Sequence, residues 1–122
     1  MSILNTKWKC SDLKQTHLCY KTGKVEISSW SLEIHFYSEV NNTLIGKLTF
    51  NKKGDNKLNG HEFVSFIYIK KLDKIIGSDS NGYYEGYLNK NELNLHHLAF
   101  EHIKFPQNIT TINSFSNKFY KI

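Results

Sequence analysis

Between Trp30 and Tyr37 apolar and polar side chains alternate. Trp30, Leu32, Ile34 and Phe36 fall on one side, Ser31, Glu33, His35 and Tyr37 on the other. Successive side chains of an extended chain leave opposite faces, so this period of two predicts a half-buried β-strand. Just before it, Val25 and Ile27 alternate with Lys24 and Glu26. The change of parity at Ser28-Ser29 predicts a bulge or tight bend. Leu44, Gly46, Leu48 and Phe50 predict a further strand, with Lys47 and Thr49 on its polar side. From Glu62 to Leu72 both faces are apolar: Phe63, Ile67 and Ile69 on one, Val64, Phe66 and Tyr68 on the other. Such a strand is expected to be covered on both sides, or to show one aromatic face to a ligand or partner.

Tyr84, Gly86 and Leu88 share a face opposite Tyr83, Glu85 and Tyr87, and Gly86 predicts a close backbone approach there. Leu93 and Leu95 differ in parity from Leu98 and Phe100, which predicts a bulge at His96-His97. Ile75-Ile76 is too short to define an element. Lys14 to Tyr20 is expected to be a strand; Leu4 to Ser11 fits a strand or a helical turn. In the tail, Ile109, Ile112, Phe115, Phe119 and Ile122 are spaced as on a helix, yet the Thr, Asn and Ser between them are poor helix formers. Strand is the better supported of the two for 109–122, with a short C-terminal helix the alternative.

Turn signals recur at short intervals: Thr22-Gly23-Lys24, Asn41-Asn42, Lys53-Gly54-Asp55-Asn56, Asn59-Gly60, Ser78 to Gly82, Asn89-Lys90-Asn91 and Pro106-Gln107-Asn108. No linker, repeat or low-complexity segment divides the chain. The expectation is one all-β domain over 1–122, a small antiparallel meander barrel of about seven to nine strands.

Composition supports this. The chain of 122 residues holds a single Ala, Ala99, against 12 Ile, 8 Phe, 7 Tyr, 7 Thr and 2 Trp. Ala is the best helix former, and the others suit a pleated, half-buried surface. No apolar run approaches the roughly 20 residues of a membrane-spanning helix. The N-terminus lacks a basic segment followed by an apolar stretch, and Ser2 excludes myristoylation. The chain begins with Met, and the expectation is a complete cytoplasmic protein.

The 16 basic residues are all lysine, against 11 acids, for a formal charge of +5. Without guanidinium groups the chain cannot make bidentate forks to guanine edges, which argues against sequence-specific nucleic-acid reading. Lysine at this level serves first as a solubilising charge. Cys10 and Cys19 are expected to be reduced thiols, and their spacing matches neither a redox pair nor a zinc knuckle. Asn41-Asn42-Thr43 and Asn108-Ile109-Thr110 match the glycosylation pattern, which has no consequence without secretion.

A lone Trp8 near the N-terminus, a meander of strands and a basic residue in the last strand, Lys118 or Lys121, resemble the calycin group of small barrels, which includes lipocalins and avidins. Where that group carries Gly two residues before the Trp, this chain has Thr6, and it has no Arg to serve as the closing basic residue. The resemblance is at the level of the fold. It implies a pocket at one open end of the barrel for a small apolar or aromatic molecule.

Catalytic chemistry finds little support. There is no Gly-x-Ser-x-Gly elbow, and a thiolate site would need a positioned base beside Cys10 or Cys19. His96 and His102, with His17, His35 or His61, are the candidates for a metal site, but no ligating motif spacing supports one; strand-surface histidines are the ordinary reading. Glu33, Glu62 and Glu85 lie near aromatics, with Glu33 and Glu85 expected to face outward. The Gly77 to Gly82 loop has Asp79 as its only acid, where a calcium loop needs several, and reads as a hairpin turn. No catalytic residue, metal ligand or cofactor is assigned.

The leading expectation is therefore a non-catalytic binding protein that holds a small apolar or aromatic ligand, with Trp30, Phe36, Phe50, Phe66, Tyr68 and Tyr84 as candidate lining. In a barrel this small the same rings can simply fill the interior. The alternative is a protein-interaction domain, an inhibitor, immunity or adaptor protein or a homodimer, that uses an exposed aromatic strand face. A third reading is weak single-stranded nucleic-acid binding through Tyr83, Tyr84 and Tyr87 with Lys70, Lys71 and Lys74.

Overall fold

The computed structural model describes residues 2–54, 59–103 and 109–122, and of residues 102, 103 and 109 the backbone only. Eight strands are present among them: β1 (Thr6–Cys19), β2 (Val25–Val40), β3 (Thr43–Lys52), β4 (Asn59–Ile69), β5 (Lys74–Ser78), β6 (Gly82–Asn89), β7 (Glu92–Ile103) and β8 (Ile109–Lys121). Each pairs antiparallel with its neighbours in sequence, and β1 also pairs with β8, so the meander closes into a barrel. Closure leaves no sheet edge open to foreign strands. The one helical element among the described residues is a short 3-10 turn over Lys70–Leu72. No helix of the described residues is long and apolar enough to cross a membrane. The predicted turns at Asp55-Asn56 and Pro106-Gln107-Asn108, and the side chain of His102, lie outside the described residues.

The alternation of the sequence becomes the inside and outside of the barrel. Leu32, Ile34 and Phe36 of β2, Leu44 and Leu48 of β3, Val64 and Phe66 of β4, and Leu93 and Leu95 of β7 are buried in one core. An eight-stranded barrel is just wide enough for its interior to be filled by side chains. Aromatic rings run through it in contact: Phe36 meets Phe66 at 5.5 Å between centroids, Phe66 meets Tyr84 at 5.8 Å, and His97 follows at 4.3 Å from Tyr84. Lys7, Lys9, Lys14 and Lys47 are exposed on the outer surface. They share that surface with exposed apolar side chains such as Phe63, Ile67 and Phe100.

The tail is a strand: β8 pairs with β7 from Ile109 to Tyr120, so the helix-like spacing of its apolar residues is not used as a helix. Phe115 and Phe119 face the core, while Ile122 is exposed. Pairing along both of its sides outweighs the weak local preference.

Neither predicted bulge is where the parity changes suggested. Ser28 and Ser29 pair regularly with Gln15 and Lys14, and His96 and His97 pair regularly with Glu85 and Tyr84. The apparent slips arise because apolar residues stand on the outer face. Val25 and Ile27 point outward, as do Leu98 and Phe100, while His97 and Ala99 continue the inner row. The real irregularities lie elsewhere. β1 carries an extra residue at Ser11-Asp12, between the Cys10–Leu32 and Leu13–Trp30 pairs. β2 carries one at Tyr37, between Phe36 and Ser38. The expected covering of both faces of β4 is not found among the described residues: its inner face is buried, but Phe63 and Ile67 are 57% and 59% exposed.

The start of β1 marks one end of the barrel. Trp8 is 1% exposed there, stands opposite Lys121 in the β1–β8 ladder, and donates its indole N–H to Thr6 Oγ1 at 2.8 Å. Trp8 belongs to the same buried core as Ile3, Phe36, Leu44, Leu88, Leu93 and Phe119. At this end the two-residue turn Asn41-Asn42 has both φ angles positive, the type I′ geometry that matches the twist of a hairpin.

Candidate functional site

The other end opens into a cavity of about 230 Å³. Every strand except β5 lines it directly, and Asp79 and Asn81 enter from the β5–β6 turn. Its apolar wall is Leu13, Leu32, Leu48, Ala99 and the rings of Trp30, Phe50, Tyr84 and Phe115. Trp30 and Phe50 meet edge to face at 5.8 Å. This is the arrangement in which the positive edge of one ring meets the negative face of the next. Across the mouth, His97 stacks on Tyr84 and lies 5.0 Å from Phe115.

Two hydrogen-bonded systems hold the polar lining. The first starts at Trp30. Its indole N–H donates to Ser28 Oγ at 2.7 Å, and Ser28 Oγ lies 2.6 Å from His17 Nε2. His17 Nδ1 lies 2.8 Å from Asn113 Oδ1, and Asn113 Nδ2 donates to Glu101 Oε2 at 3.2 Å. Because the amide nitrogen of Asn113 is engaged by Glu101, its oxygen must accept from His17, which places the ring proton on Nδ1. Nε2 then accepts from the Ser28 hydroxyl. Every donor in this series points toward Glu101 at the rim.

The second system centres on Asp79. Its Oδ2 accepts the Tyr84 hydroxyl at 2.7 Å and its Oδ1 accepts the Asn81 backbone N–H at 3.0 Å. Burial works against the Asp79 charge, but the donors Tyr84, Asn81, Glu62 and Gly82 outweigh it and hold the carboxyl below its ordinary range. Burial, followed by the hydrogen bond to Asp79, pushes Glu62 up. The two neighbouring carboxyls are thus pushed in opposite directions, Asp79 toward the charged form and Glu62 toward the protonated one. Burial and the Asp79 partner push the Tyr84 phenol far up, so it remains a donor. Burial lowers His97, and its Nδ1 is enclosed without a hydrogen-bond partner.

Of the six rings expected to line a pocket, the structure brings Trp30, Phe50 and Tyr84 together around the cavity. Phe36 and Phe66 lie deeper, fully enclosed by the core. Tyr68 is at the opposite end of the barrel, where its hydroxyl donates to Asp73 at 3.0 Å. Sequence reasoning left Ser28, His97, Glu101, Asn113 and Phe115 out of the site and offered His17 only as a candidate metal ligand. The signal for His97 and Glu101 was present: both continue the inner parity set by Leu93, Leu95 and Ala99.

Among the described residues no three His, Cys, Asp or Glu side chains converge as a metal ion would require. The two cysteines are free thiols, Cys10 buried and Cys19 half-buried. A larger trough lies outside the barrel wall, lined by Lys9, Asp12, His96 and Lys118, but it lacks the enclosing rings of the mouth. Comparison with protein-family models, with curated proteins and with solved structures finds no match to this chain.

Proposed function

We propose that the protein is a non-catalytic binder that holds a small molecule with an apolar or aromatic body in the open mouth of its barrel. The observation that carries this reading is the 230 Å³ cavity walled by Trp30, Phe50, Tyr84 and Phe115. Rigid rings supply contact area at little rotational cost, and a few fixed polar groups set orientation. The volume is below that of drug-sized pockets, so the ligand is compact, about one ring with a short substituent. The same placement of the pocket at one end, with Trp8 at the other, is what a calycin-like barrel implies. The polar groups around the mouth are engaged in fixing one another: Ser28 Oγ lies 2.6 Å from the base His17, but it also accepts the Trp30 indole N–H, which makes it a poorer nucleophile and favours holding over turnover.

The test is a titration with small neutral aromatic molecules, followed by amide chemical shifts of the intact chain. Saturable shifts clustered on Leu13, Trp30, Phe50, Ala99 and Phe115 are expected, and Ala99→Leu, which fills the cavity, abolishes them while the circular dichroism stays that of a β-barrel. Shifts scattered over the outer surface, or unaltered by Ala99→Leu, overturn the reading.

One observation favours the alternative of a protein-interaction domain. On the outer face of β2 and β4, Tyr37 and Phe63 meet edge to face at 6.3 Å, and His61 meets Phe63 at 5.6 Å, with Ile67 exposed on the same strand. Native mass spectrometry of the protein from its own host separates the two: a retained small mass supports the first reading, a second polypeptide or a second copy the alternative.

A further inference from the structure

The charge at the mouth is opposite to that of the molecule. The chain carries +5, yet the cavity lining contains three acids, Glu62, Asp79 and Glu101, and no lysine. Among the described residues the ion pairs are Lys14 and Lys53 with Asp12, Lys24 with Glu26, Lys74 with Glu85 and Lys118 with Glu92. None involves a cavity carboxyl.

The lining is also short of free donors. The Trp30 N–H is spent on Ser28, the Tyr84 hydroxyl on Asp79, and the side-chain amides of Asn81 and Asn113 on the Phe100 carbonyl and on Glu101. Beyond the Gln15 amide, which also lines the cavity, what remains open is mainly acceptor capacity on the three carboxyls. The His97 ring also lines the cavity, its Nδ1 enclosed without a partner. Glu62, Asp79 and Glu101 line one cavity with no lysine in its described lining, so a ligand cation there meets carboxyls that no cation among the described residues pairs. An aromatic face turned to a cation would favour it further, and the rings of Trp30, Phe50, Tyr84 and Phe115 line the cavity. Since no three ligating groups converge on a point among the described residues, a bare metal ion does not suit the site; a cation with several N–H donors and an apolar body does.

We propose that the mouth selects a protonated amine on a compact aromatic or apolar body, with the ring among Trp30, Phe50 and Phe115 and the ammonium against Glu62, Asp79 and Glu101. The inference rests on the binding role proposed above and specifies its ligand class.

Three probes of one shape test it: 2-phenylethylammonium, 2-phenylethanol and phenylacetate, titrated into the full chain at neutral pH by calorimetry and amide chemical shifts. The ammonium is expected to bind about tenfold or more tighter than the alcohol, and phenylacetate weakest of all. In Glu62→Gln/Asp79→Asn the preference for the ammonium over the alcohol falls to within about threefold. Glu101→Gln, at the exposed rim and still able to accept from Asn113, gives a smaller loss of the same sign and serves where the double variant does not fold. If the alcohol binds as tightly as the ammonium, and the carboxamide variants alter neither, the charge selection is overturned while aromatic binding in the mouth stands. If no probe of any charge shifts the cavity amides, both are overturned.

Discussion

The Tyr84 hydroxyl donates to Asp79 Oδ2 at 2.7 Å, tying a buried ring on β6 to the turn that precedes the strand. Tyr84 is 2% exposed and touches Phe66 on one side and His97 on the other. The bond thus links the filled half of the barrel to the open half. It fixes the edge of the mouth to the core, and it is the main hydrogen bond that keeps Asp79 charged against the cost of burial.

Replacing Tyr84 by Phe retains the ring stacking and removes the hydroxyl. The loss of stability is expected to be about 1–2 kcal/mol, because a partly buried carboxylate is left short of one donor. Chemical denaturation checks it. The Asp79 carboxyl should also titrate at higher pH in the variant, read from its side-chain carbon resonance. A variant as stable as the parent, with Asp79 unmoved, would show that the bond is not made in solution.

The paired carboxyls give a signed pH dependence. Asp79 is held below 3.8, so its contribution is present above that value and is lost as pH falls through the folded one. Glu62 is held above 4.5, so the stability it contributes is complete below 4.5 and is lost as pH rises through its folded value. Glu62→Gln mimics the protonated form at every pH. It should match the parent near pH 4.5 and become more stable toward pH 7, by a few tenths to about 1 kcal/mol after allowance for solvent screening. Thermal denaturation of both proteins across this range tests the sign; a variant less stable at pH 7 than at pH 4.5, relative to the parent, contradicts it.

Much of the barrel was legible in the chain, because closure requires one buried face per strand and the rows Trp30–Phe36, Leu44–Phe50 and Tyr84–Leu88 declare theirs by alternation. Legibility failed where an apolar residue is left on the outside. Val25 and Ile27, and again Leu98 and Phe100, are exposed, and a rule that equates apolar with inward must then invent bulges. It hid His97 and Glu101 for the same reason. The site was half legible. Trp30, Phe50 and Tyr84 were visible as rings on inward rows, but alternation says which face a ring takes and nothing about its height along the barrel. Height separates Phe50 at the mouth from Phe66 in the core and Tyr68 at the far end. The Trp30–Ser28–His17–Asn113–Glu101 series joins residues up to 96 positions apart in its longest step, and no local spacing announces it.

Two glycines separate space from conformation. A Cβ on Gly77 would stand 2.2 Å from the Ser65 carbonyl oxygen and 2.4 Å from Phe66 Cδ1, so Gly77→Ala must push β4 and β5 apart. A loss of about 3 kcal/mol or more is expected, or failure to fold. Gly23 has open space around it but a φ of +70°, so Gly23→Ala meets only backbone strain, about 1 kcal/mol. Denaturation midpoints of the two variants measure the difference; equal losses would mean that β4 and β5 are not paired as described.

Phe66 and Phe50 divide filling from lining. Phe66 is 1% exposed and sits between Phe36 and Tyr84. Phe66→Ala removes a fully enclosed ring and should cost about 3–5 kcal/mol by chemical denaturation. Phe50 is half-buried at the mouth, where its ring has Trp30 on one side and the cavity on another. Phe50→Ala opens onto space that is already accessible, so the expected cost is smaller, about 1–2 kcal/mol. Its effect on function runs the other way. The binding of 2-phenylethanol should weaken severalfold or more in Phe50→Ala, because a wall of the cavity is gone. A less disruptive change in the core, Phe66→Leu, should lower stability and leave that binding within about twofold. If the ranking of the binding losses were reversed, the ligand would be held among the deep rings, and the mouth would be only its entrance.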